Sequence, residues 1–377
     1  MAAQARTADA PEVALDAIVA DIGELVRCES PSRDREALLR SADVTAALGE
    51  RVLGTAPERI VIDGTPHLRW RFGAPRVLLL GHHDTVWPAG SLERLPFGVE
   101  GGILRGPGCF DMKTGVVMAM HAVAALEDRD GVSILVTGDE ELGSPSSRTL
   151  IESEARGCAA ALVLEASGDG GALKVARKGV SVYRVLVTGR AAHAGLEPER
   201  GVNASVEAAH LILAIAALGD REAGTTVTPT LLRAGTVSNT VPAEAAFSVD
   251  VRAVTRAEQE RVDAALHSLG ATLPGAGVRV EDGPRSTPME RSASADLFAR
   301  ARAIAADLGL APLHGVAVGG GSDGNHTAGI GVPTLDGLGA VGGGAHADDE
   351  HVIVGMIPER IALVRELIAD VLSGGGR

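Results

Sequence analysis

His82 and Asp84 are the first residues of the chain whose types and spacing could do chemistry. They follow an apolar run in the segment RVLLLGHHDTVWP, residues 76–88. Alternate residues of an extended segment point to the same side, so an imidazole and a carboxylate leave the end of a predicted strand together. Open α/β sheets place their active sites at this carboxyl edge. A carboxylate can orient a metal-binding histidine, although a hydrogen-bonded loop is the alternative for these two residues alone.

Acidic residues also follow two other predicted strands. One β-rich run is followed by GDEELGS, which presents Asp139, Glu140 and Glu141. Three adjacent acids repel one another unless a cation compensates their charge. Another apolar run, AALVLEAS, is followed by Glu165. Because the carboxyl ends of parallel strands share one edge of a sheet, we expect these carboxylates to lie near His82.

Asp111 and His346 add one more acid and one more histidine from glycine-rich segments. Asp111 lies in GPGCFDMKTG before a predicted helix, where an N-cap is the alternative role, and His346 lies in GGGAHADDEHV. Histidines and carboxylates without cysteine suit zinc, cobalt or manganese. Two separate histidines with several carboxylates predict two metal ions about 3.5–4 Å apart that share a bridging acid.

The chain resembles the co-catalytic di-zinc metallopeptidase family of aminoacylase, acetylornithine deacetylase, succinyl-diaminopimelate desuccinylase and the bacterial glutamate carboxypeptidases. The motifs that carry the resemblance are, in order, GHxDTV, GPGxxDMKTG, DEExGS, an acid after a strand and a late GxxxH. It extends from about residue 12 to residue 372. The segments GHHDTVWP, PFGVEGG, VGGGSDGN and GTVSNTVP resemble most the glutamate carboxypeptidase branch.

The resemblance implies five metal ligands. His82, Asp111 and Glu165 would bind one divalent ion. Asp111, Glu141 and His346 would bind the other, with Asp111 as the bridge. The expected cofactors are two zinc ions, with cobalt or manganese as alternatives because His and carboxylate sites accept all three.

The resemblance also implies catalytic roles around the ligands. Glu140 would be the general base, which takes a proton from water and passes it to the leaving amine. Asp84 would orient His82, and His83 should face away from both. A cis peptide bond is implied between Asp111 and Met112. The roles of Ser322, Asp323 and Asn325 in GGGSDGN stay open, since Asp323 could support the site or cap a helix.

Four further residues receive roles from the resemblance alone. His193 in GRAAHAG would stabilise the oxyanion in the active site of a partner subunit, and Asn239 in GTVSNTVP would bind substrate. Arg252 in FSVDVR would hold a substrate carboxylate, which a guanidinium binds with two parallel hydrogen bonds. Lys178 in ARKG would contact substrate near a hinge. Without the resemblance, an exposed turn histidine, a turn asparagine and a surface arginine are the alternatives.

The elements that must position these residues predict an α/β fold in two parts. Residues 1–179 and 286–377 would form the catalytic domain, a central mixed, mostly parallel sheet with flanking helices. Residues 180–285 have the pattern β-α-β-β-α-β, which is typical of a ferredoxin-like α+β arrangement. They would form an inserted dimerisation (lid) domain. The roles that the resemblance gives to His193, Asn239 and Arg252 imply a homodimer with shared sites and an opening and closing motion of the domains.

Composition excludes several other classes of protein. The 377 residues carry a formal net charge of −14, which argues against nucleic acid or an anionic membrane as a partner. The three cysteines are too few and too widely spaced for a disulfide framework. The N-terminal segment lacks the apolar core of a signal peptide, and no apolar run approaches a membrane span. A cytoplasmic location is the expectation.

The resemblance implies a metal-dependent amide hydrolase that releases a C-terminal amino acid, glutamate or similar, from an N-acyl amino acid or peptide. An aminoacylase or N-deacetylase that acts on a biosynthetic intermediate is the alternative within the same chemistry. A non-catalytic binding homologue should lack Glu140 or a ligand, and all are present here. Phosphoester hydrolysis would require basic residues near the metals, and the motifs supply none.

Overall fold

The computed structural model describes residues 15–374, which form two compact units. Its α-helices are α1 (Leu15–Arg27), α2 (Arg35–Leu53), α3 (Ser91–Arg94), α4 (Thr114–Ala124), α5 (Arg148–Ala155), α6 (Ala204–Ala216), α7 (Arg256–His267), α8 (Arg291–Asp307), α9 (Gly324–Gly329) and α10 (Ile357–Leu372). Its strands are β1 (Glu58–Ile62), β2 (Thr65–Phe72), β3 (Val77–His82), β4 (Gly98–Glu100), β5 (Ile103–Arg105), β6 (Val132–Thr137), β7 (Ala160–Val163), β8 (Leu173–Arg177), β9 (Gly179–Thr188), β10 (Thr226–Ala234), β11 (Glu244–Ala253), β12 (Gly277–Ser286), β13 (Gly315–Val318), β14 (Thr334–Leu335), β15 (Gly342–Gly343) and β16 (His351–Ile353).

The first unit is built on a six-stranded sheet in the order β1-β2-β6-β3-β7-β14. The four strands β6, β3, β7 and β14 run parallel to one another, and β1 and β2 add an antiparallel edge. Parallel strands are connected by crossovers, so helices cover both faces. The prediction of a mixed, mostly parallel sheet with flanking helices is confirmed.

Strand β3 shows why this sheet is buried on both sides. Val77 and Leu79 belong to a large core that includes residues of α1, α4 and α10. Leu78 and Leu80 point the other way, into a smaller core with residues of α5. Successive residues of a strand face opposite sides, so a continuous apolar run can serve two cores at once. The strand is thus held rigidly up to its last residue, His82.

The second unit comprises residues 176–290 together with 318–321. Its strands form an antiparallel sheet in the order β10-β11-β9-β12. Helices α6 and α7 connect the strands in the order β-α-β-β-α-β, the ferredoxin-like arrangement. In β9 every second side chain is buried, among them Tyr183, Val185 and Val187, and these form a core with residues of α6 and α7. Asn203 and Thr255 cap the two helices at their N-termini.

The described residues bear on membrane-spanning helices but not on the N-terminal segment of the chain. Over the described residues, no helix has both the length and the apolar character that crossing a bilayer requires. Residues 1–14, where the sequence predicts no signal peptide, lie outside the described residues.

Candidate metal centre

Three neighbouring strands of the central sheet end beside one another at the candidate metal centre. His82 is the last residue of β3, and β6 and β7 pair with β3 in parallel on either side. Glu140 and Glu141 open a short 3₁₀ turn that follows β6, and Glu165 follows β7. The parallel register brings these side chains to one sheet edge, where α/β folds place ligands.

Asp111 lies between the two histidines of the centre. Its Oδ1 is 3.4 Å from His82 Nε2, and its Oδ2 is 3.3 Å from His346 Nε2. Helix α4 begins only at Thr114, and its N-cap position is Lys113. The N-cap alternative for Asp111 is therefore wrong. The peptide bond between Asp111 and Met112 is cis, as the resemblance implied.

Each histidine also faces a second carboxylate. Glu165 Oε1 lies 3.6 Å from His82 Nε2, and Glu141 Oε1 lies 3.3 Å from His346 Nε2. The structure thus groups His82 and Glu165 on one side of Asp111, and His346 and Glu141 on the other. This grouping is the one expected if Asp111 bridges two ions.

Unpartnered buried atoms show that the centre fits metal ions. Among the described residues, His82 Nε2, Asp111 Oδ1 and Glu141 Oε1 are buried and make no hydrogen bond. Buried polar atoms without a partner are costly, and all three are of types that bind zinc. The ligand atoms of His82, Asp111 and Glu141 lie within 4.8 Å of one another, as do those of His82, Glu140 and Glu165.

Asp84 holds both His82 and the turn after β6. The Nδ1–H of His82 donates to the backbone oxygen of Asp84 at 2.9 Å, and Asp84 Oδ1 lies 3.5 Å from the same nitrogen. This contact places the proton of a neutral ring on Nδ1, so Nε2 is the nitrogen that can bind a metal. The backbone N–H groups of Glu140 and Glu141 donate to Asp84 Oδ1 and Oδ2 at 3.2 and 3.3 Å.

The carboxylates make the centre attractive to cations. Burial opposes a charge on His82, but Asp111, Asp84 and Glu165 outweigh it and raise its pKa well above the usual range. The carboxylates of Asp111 and Glu141, each 3.3 Å from the His346 ring, raise the pKa of His346 to about 10. Both shifts have the same electrostatic cause, a surplus of negative charge that also favours divalent metals.

Glu140 lies beside this cluster without belonging to either side of Asp111. Its Oε2 is 3.9 Å from His82 Nε2. Burial is the main reason that the pKa of Glu140 is raised, and repulsion from Glu165, Asp323 and Glu141 adds to it, while His82 opposes it. The carboxylate of Glu140 thus lies next to the ligand atoms of His82 and Glu165.

Asp323 joins two loops around the centre, and it does not act as a helix cap. Its carboxylate accepts the hydroxyl protons of Ser144 at 2.5 Å and Thr137 at 2.9 Å, and it makes no side-chain bond to the N-terminus of α9. Burial raises its pKa to about 7. Ser322 donates to Asp336 at 2.6 Å, and Asn325 accepts the N–H of Ser322. All of these residues support the loop that carries GGGSDGN.

His83 faces away from the centre, as its place between His82 and Asp84 requires. Its Nδ1 lies 3.1 Å from Ser41 Oγ, and its Nε2 lies 3.1 Å from the backbone oxygen of Pro66. Burial lowers the pKa of His83 to about 4. The ring is a neutral buried group that ties α2 and β2 to β3.

Sequence reasoning gave no structural role to two buried carboxylates that hold loops of the centre, Asp139 and Glu350. Asp139 accepts N–H and O–H groups of Ser146 and Ser147 at 2.5–3.3 Å, which fixes the turn that carries Glu140. Glu350 accepts backbone N–H groups of the loop that carries Asp111. The position of Glu350 four residues after His346 is the one sequence feature that could have pointed to it.

His193 and Asn239 are neighbours in exposed loops of the second unit. The N–H of Ala194 donates to the backbone oxygen of Asn239 at 2.9 Å. His193 Nδ1 accepts the N–H groups of Gly195 and Leu196, each at 3.1 Å. Because Nδ1 is an acceptor, a neutral His193 carries its proton on Nε2 and can donate it to an oxyanion.

Arg252 and Lys178 have partners within the second unit. Arg252 donates from Nε and Nη2 to the two carboxylate oxygens of Asp250 at 2.9 and 3.0 Å. Lys178 Nζ donates to the backbone oxygen of Gly224 at 2.5 Å. Asp250 thus fixes the plane of the guanidinium with two parallel hydrogen bonds.

Comparison with known proteins identifies the family. Residues 78–370 match the family described as Peptidase family M20/M25/M40. The chain belongs to this family. It is 32% identical to carboxypeptidase G2 of Pseudomonas sp. (strain RS-16), over 95% of this chain and 90% of that protein. It is 31% identical to succinyl-diaminopimelate desuccinylase of Wolinella succinogenes, over 73% of this chain and 78% of that protein.

A solved structure of an M20 family metallo-carboxypeptidase, Sso-CP2 from Sulfolobus solfataricus, shares the fold. Its TM-score is 0.71 at 16% identity, and the match covers 94% of this chain and 98% of that one. The resemblance inferred from the motifs is confirmed. As a member of the M20 family, the protein is a metal-dependent hydrolase.

Proposed function

We propose that the protein hydrolyses the amide bond of an N-acyl amino acid or a peptide and releases the C-terminal amino acid. The observation that carries this proposal is the carboxylate of Asp111, which turns one oxygen toward His82 and the other toward His346. A bridging carboxylate between two ligand groups is the arrangement that two-metal hydrolysis requires.

His82, Asp111 and Glu165 would hold one ion, and Asp111, Glu141 and His346 would hold the other. When bound, two such ions, zinc in our proposal, would supply the Lewis-acid chemistry that lowers the pKa of a water molecule and polarises the carbonyl under attack. Glu140 accepts a proton from that water at Oε2 and then donates it to the leaving amine. Asp84 accepts the N–H groups of Glu140 and Glu141 and so holds the turn in which Glu140 would act as the base and Glu141 would bind an ion.

Residues of the second unit supply the proposed recognition of substrate. Arg252 binds the α-carboxylate of the released amino acid, and Asp250 keeps the guanidinium in position. Asn239 and Lys178 contribute polar contacts to the substrate, and His193 donates from Nε2 to the oxyanion of the tetrahedral intermediate. The similarity to carboxypeptidase G2 over 95% of the chain supports a C-terminal amino acid such as glutamate as the released product.

The second candidate function is that of an aminoacylase or N-deacylase in biosynthesis. The match to succinyl-diaminopimelate desuccinylase favours it. Both functions use the same water, the same base and the same carboxylate clamp. They differ in the acyl group and in the side chain of the amino acid, so a panel of substrates separates them.

We also propose a homodimer formed through the second unit. Strand β10 is an edge of its sheet, and Leu231 on it is 78% exposed. Helix α6 lies against β10 and carries Leu213, which is 73% exposed. An unpaired edge and apolar side chains beside it suit pairing with a second copy of the chain. A cytoplasmic location remains a prediction from the sequence.

The first experiment compares wild type with Glu140→Ala on an N-acyl-L-glutamate and an N-acyl-aliphatic amino acid, after zinc loading. We expect the variant to retain metal and to lose about 10²- to 10⁴-fold in rate, because general acid–base catalysis is removed. Glu127→Ala, at an exposed position after α4, is the matched control. Equal rates for wild type and Glu140→Ala would show that Glu140 is not the base. A metal-loaded wild type that cleaves neither substrate would show that the substrate class is wrong.

A further inference from the structure

Glu350 is a buried carboxylate to which the proposed reaction assigns no role. Only 3% of its surface is exposed. Its Oε1 accepts the backbone N–H groups of Phe110 at 2.9 Å and Asp111 at 3.0 Å. Its Oε2 accepts the backbone N–H of Gly108 at 2.9 Å and the indole N–H of Trp87 at 2.7 Å. One side chain therefore holds four donors, two on each oxygen.

Four donors on one side chain require the acceptor capacity of a carboxylate at position 350. An ionised carboxylate is acceptor-only and has about four lone-pair sites. A glutamine would accept with one oxygen and would turn its own N–H₂ group toward two of the donors. The loop that carries Asp111 is irregular, so its N–H groups have no regular ladder to satisfy them, and buried backbone N–H groups need partners. Burial raises the pKa of Glu350, and the four N–H donors oppose that rise.

Glu350 also belongs to the loop that presents His346. The backbone N–H of Glu350 donates to the backbone oxygen of Ala347 at 2.9 Å. The backbone N–H of Ala347 donates to the backbone oxygen of Gly344, also at 2.9 Å. His346 lies inside this pair of turns with a φ of 63°. The loop of Asp111 and the loop of His346 are therefore joined through the side chain of Glu350, and the two residues face each other at 3.3 Å.

We propose that Glu350 is a positioning residue that sets the distance between Asp111 and His346. It thereby shapes the one metal position that these two residues share with Glu141. The inference rests on the ligand roles of the proposed function. His82 and Glu165, on the other side of Asp111, follow strands β3 and β7 of the central sheet. The metal position on their side does not depend on Glu350 in the same way.

The test measures zinc binding to chelator-treated wild type, Glu350→Gln and Asp349→Asn by calorimetry and metal analysis. Asp349 is exposed and is the neighbour of Glu350, so Asp349→Asn makes the same change of charge without touching the four donors. We expect Glu350→Gln to lower the affinity for one of the two zinc ions by about 10- to 100-fold, as loss of a group that orients a ligand typically does. The other zinc ion and both ions of Asp349→Asn should keep wild-type affinity.

The pattern of the loss separates positioning from a general role in stability. Circular dichroism first establishes that each variant is folded. A folded Glu350→Gln that binds both zinc ions with wild-type affinity, or that loses both equally, would overturn the proposal. If Glu350→Gln does not fold, Trp87→Phe decides, because it removes one donor and keeps an aromatic ring in place. Selective weakening of one zinc ion by Trp87→Phe supports the proposal, and unchanged affinity overturns it.

The same measurements separate this inference from the proposed function. A wild type that binds no divalent metal would overturn both. A wild type that binds two zinc ions but cleaves no N-acyl amino acid would overturn only the substrate class, and the effect of Glu350→Gln on the second zinc ion would still stand.

Discussion

The carboxylate of Asp84 accepts the backbone N–H of Glu140 over 3.2 Å, which ties the end of β3 to the turn after β6. Asp84 is fully buried, and its carboxylate also lies 3.5 Å from the ring of His82. The residue expected to orient a ligand is thus also the anchor of the proposed general base. Any change at Asp84 should act on both.

Asp84→Ala should lower kcat/KM by at least about 10- to 100-fold, because outer partners of metal ligands are worth that much. The N–H groups of Glu140 and Glu141 would lose their acceptor, and His82 would lose a nearby negative charge. Asp84→Asn keeps one oxygen at the same place and should lose less. The check is kcat/KM together with zinc content for both variants. Wild-type kcat/KM in Asp84→Ala would contradict the role of Asp84 as an anchor.

His193 gives a prediction that tests sharing between subunits. His193→Ala should lower kcat by about 10²- to 10³-fold, the usual cost of losing one donor to an oxyanion. If His193 serves the partner subunit, mixing His193→Ala with Glu140→Ala and allowing the subunits to exchange should restore activity. One intact site would form in each mixed dimer, so random 1:1 exchange between two-fold dimers should reach about one quarter of wild type.

The control for this experiment is each variant mixed with itself under the same exchange conditions. Failure to recover activity, although mixed dimers are shown to form by a tag on one variant, would place the action of His193 within its own subunit. Absence of any dimer at assay concentrations would contradict the homodimer directly.

The sequence could single out the candidate metal-binding residues because each follows a feature that is visible in one dimension, and the resemblance then implied their roles as ligands. His82 and Glu165 follow apolar runs that had to be neighbouring strands, and Asp111 and His346 lie in glycine-rich turns beside helices or strands. The hydrogen bond from His82 to the main chain of Asp84, in contrast, depends on the turn that the backbone makes after β3. From the alternation of residues along the strand, the sequence predicted that Asp84 contacts His82 through its side-chain carboxylate, not through its backbone oxygen.

The role of Glu350, in contrast, was not predicted from the sequence. Its partners are backbone N–H groups about 240 positions earlier in the chain. Backbone groups leave no residue type in the sequence that would show the pairing. The roles of His193, Asn239 and Arg252 came from the resemblance, because an exposed loop or a strand arginine has no periodicity that distinguishes a binding group from a solvated one.

Arg252 should govern affinity for the free carboxylate of the substrate. Arg252→Lys keeps the charge and loses the two-pronged geometry, so KM should rise more than kcat falls. Asp250→Ala frees the guanidinium and should give a smaller effect of the same kind. Steady-state kinetics with an N-acyl amino acid and with its C-terminal amide provide the check. The amide should be a poor substrate for wild type and should be little affected by Arg252→Lys; equal effects on both substrates would contradict the clamp.

Glu154 gives a prediction about pH and stability away from the centre. Its buried carboxylate accepts hydrogen bonds from Arg69 at 3.0 Å, from Ser133 at 2.6 Å and from Arg71, and so fastens α5 to β2 and β6. Burial opposes ionisation, but Arg71 and Ser133 outweigh it and lower the pKa of Glu154. The carboxylate therefore stabilises the fold above its ordinary pKa of about 4.5, and this stabilisation is lost as the pH falls through the lowered value.

Glu154→Gln should therefore lower the free energy of unfolding at pH 7 by about 1.5–3 kcal/mol, the range for hydrogen bonds to a charged group. The difference from wild type should shrink as the pH falls below about 4. Urea denaturation of both metal-free proteins across this range is the measurement, with the exposed Glu127→Gln as control. If the difference between Glu154→Gln and wild type were the same at pH 7 and at the acid end, the loss would come from packing. Of the two side chains compared at position 154, only the carboxylate titrates in this window.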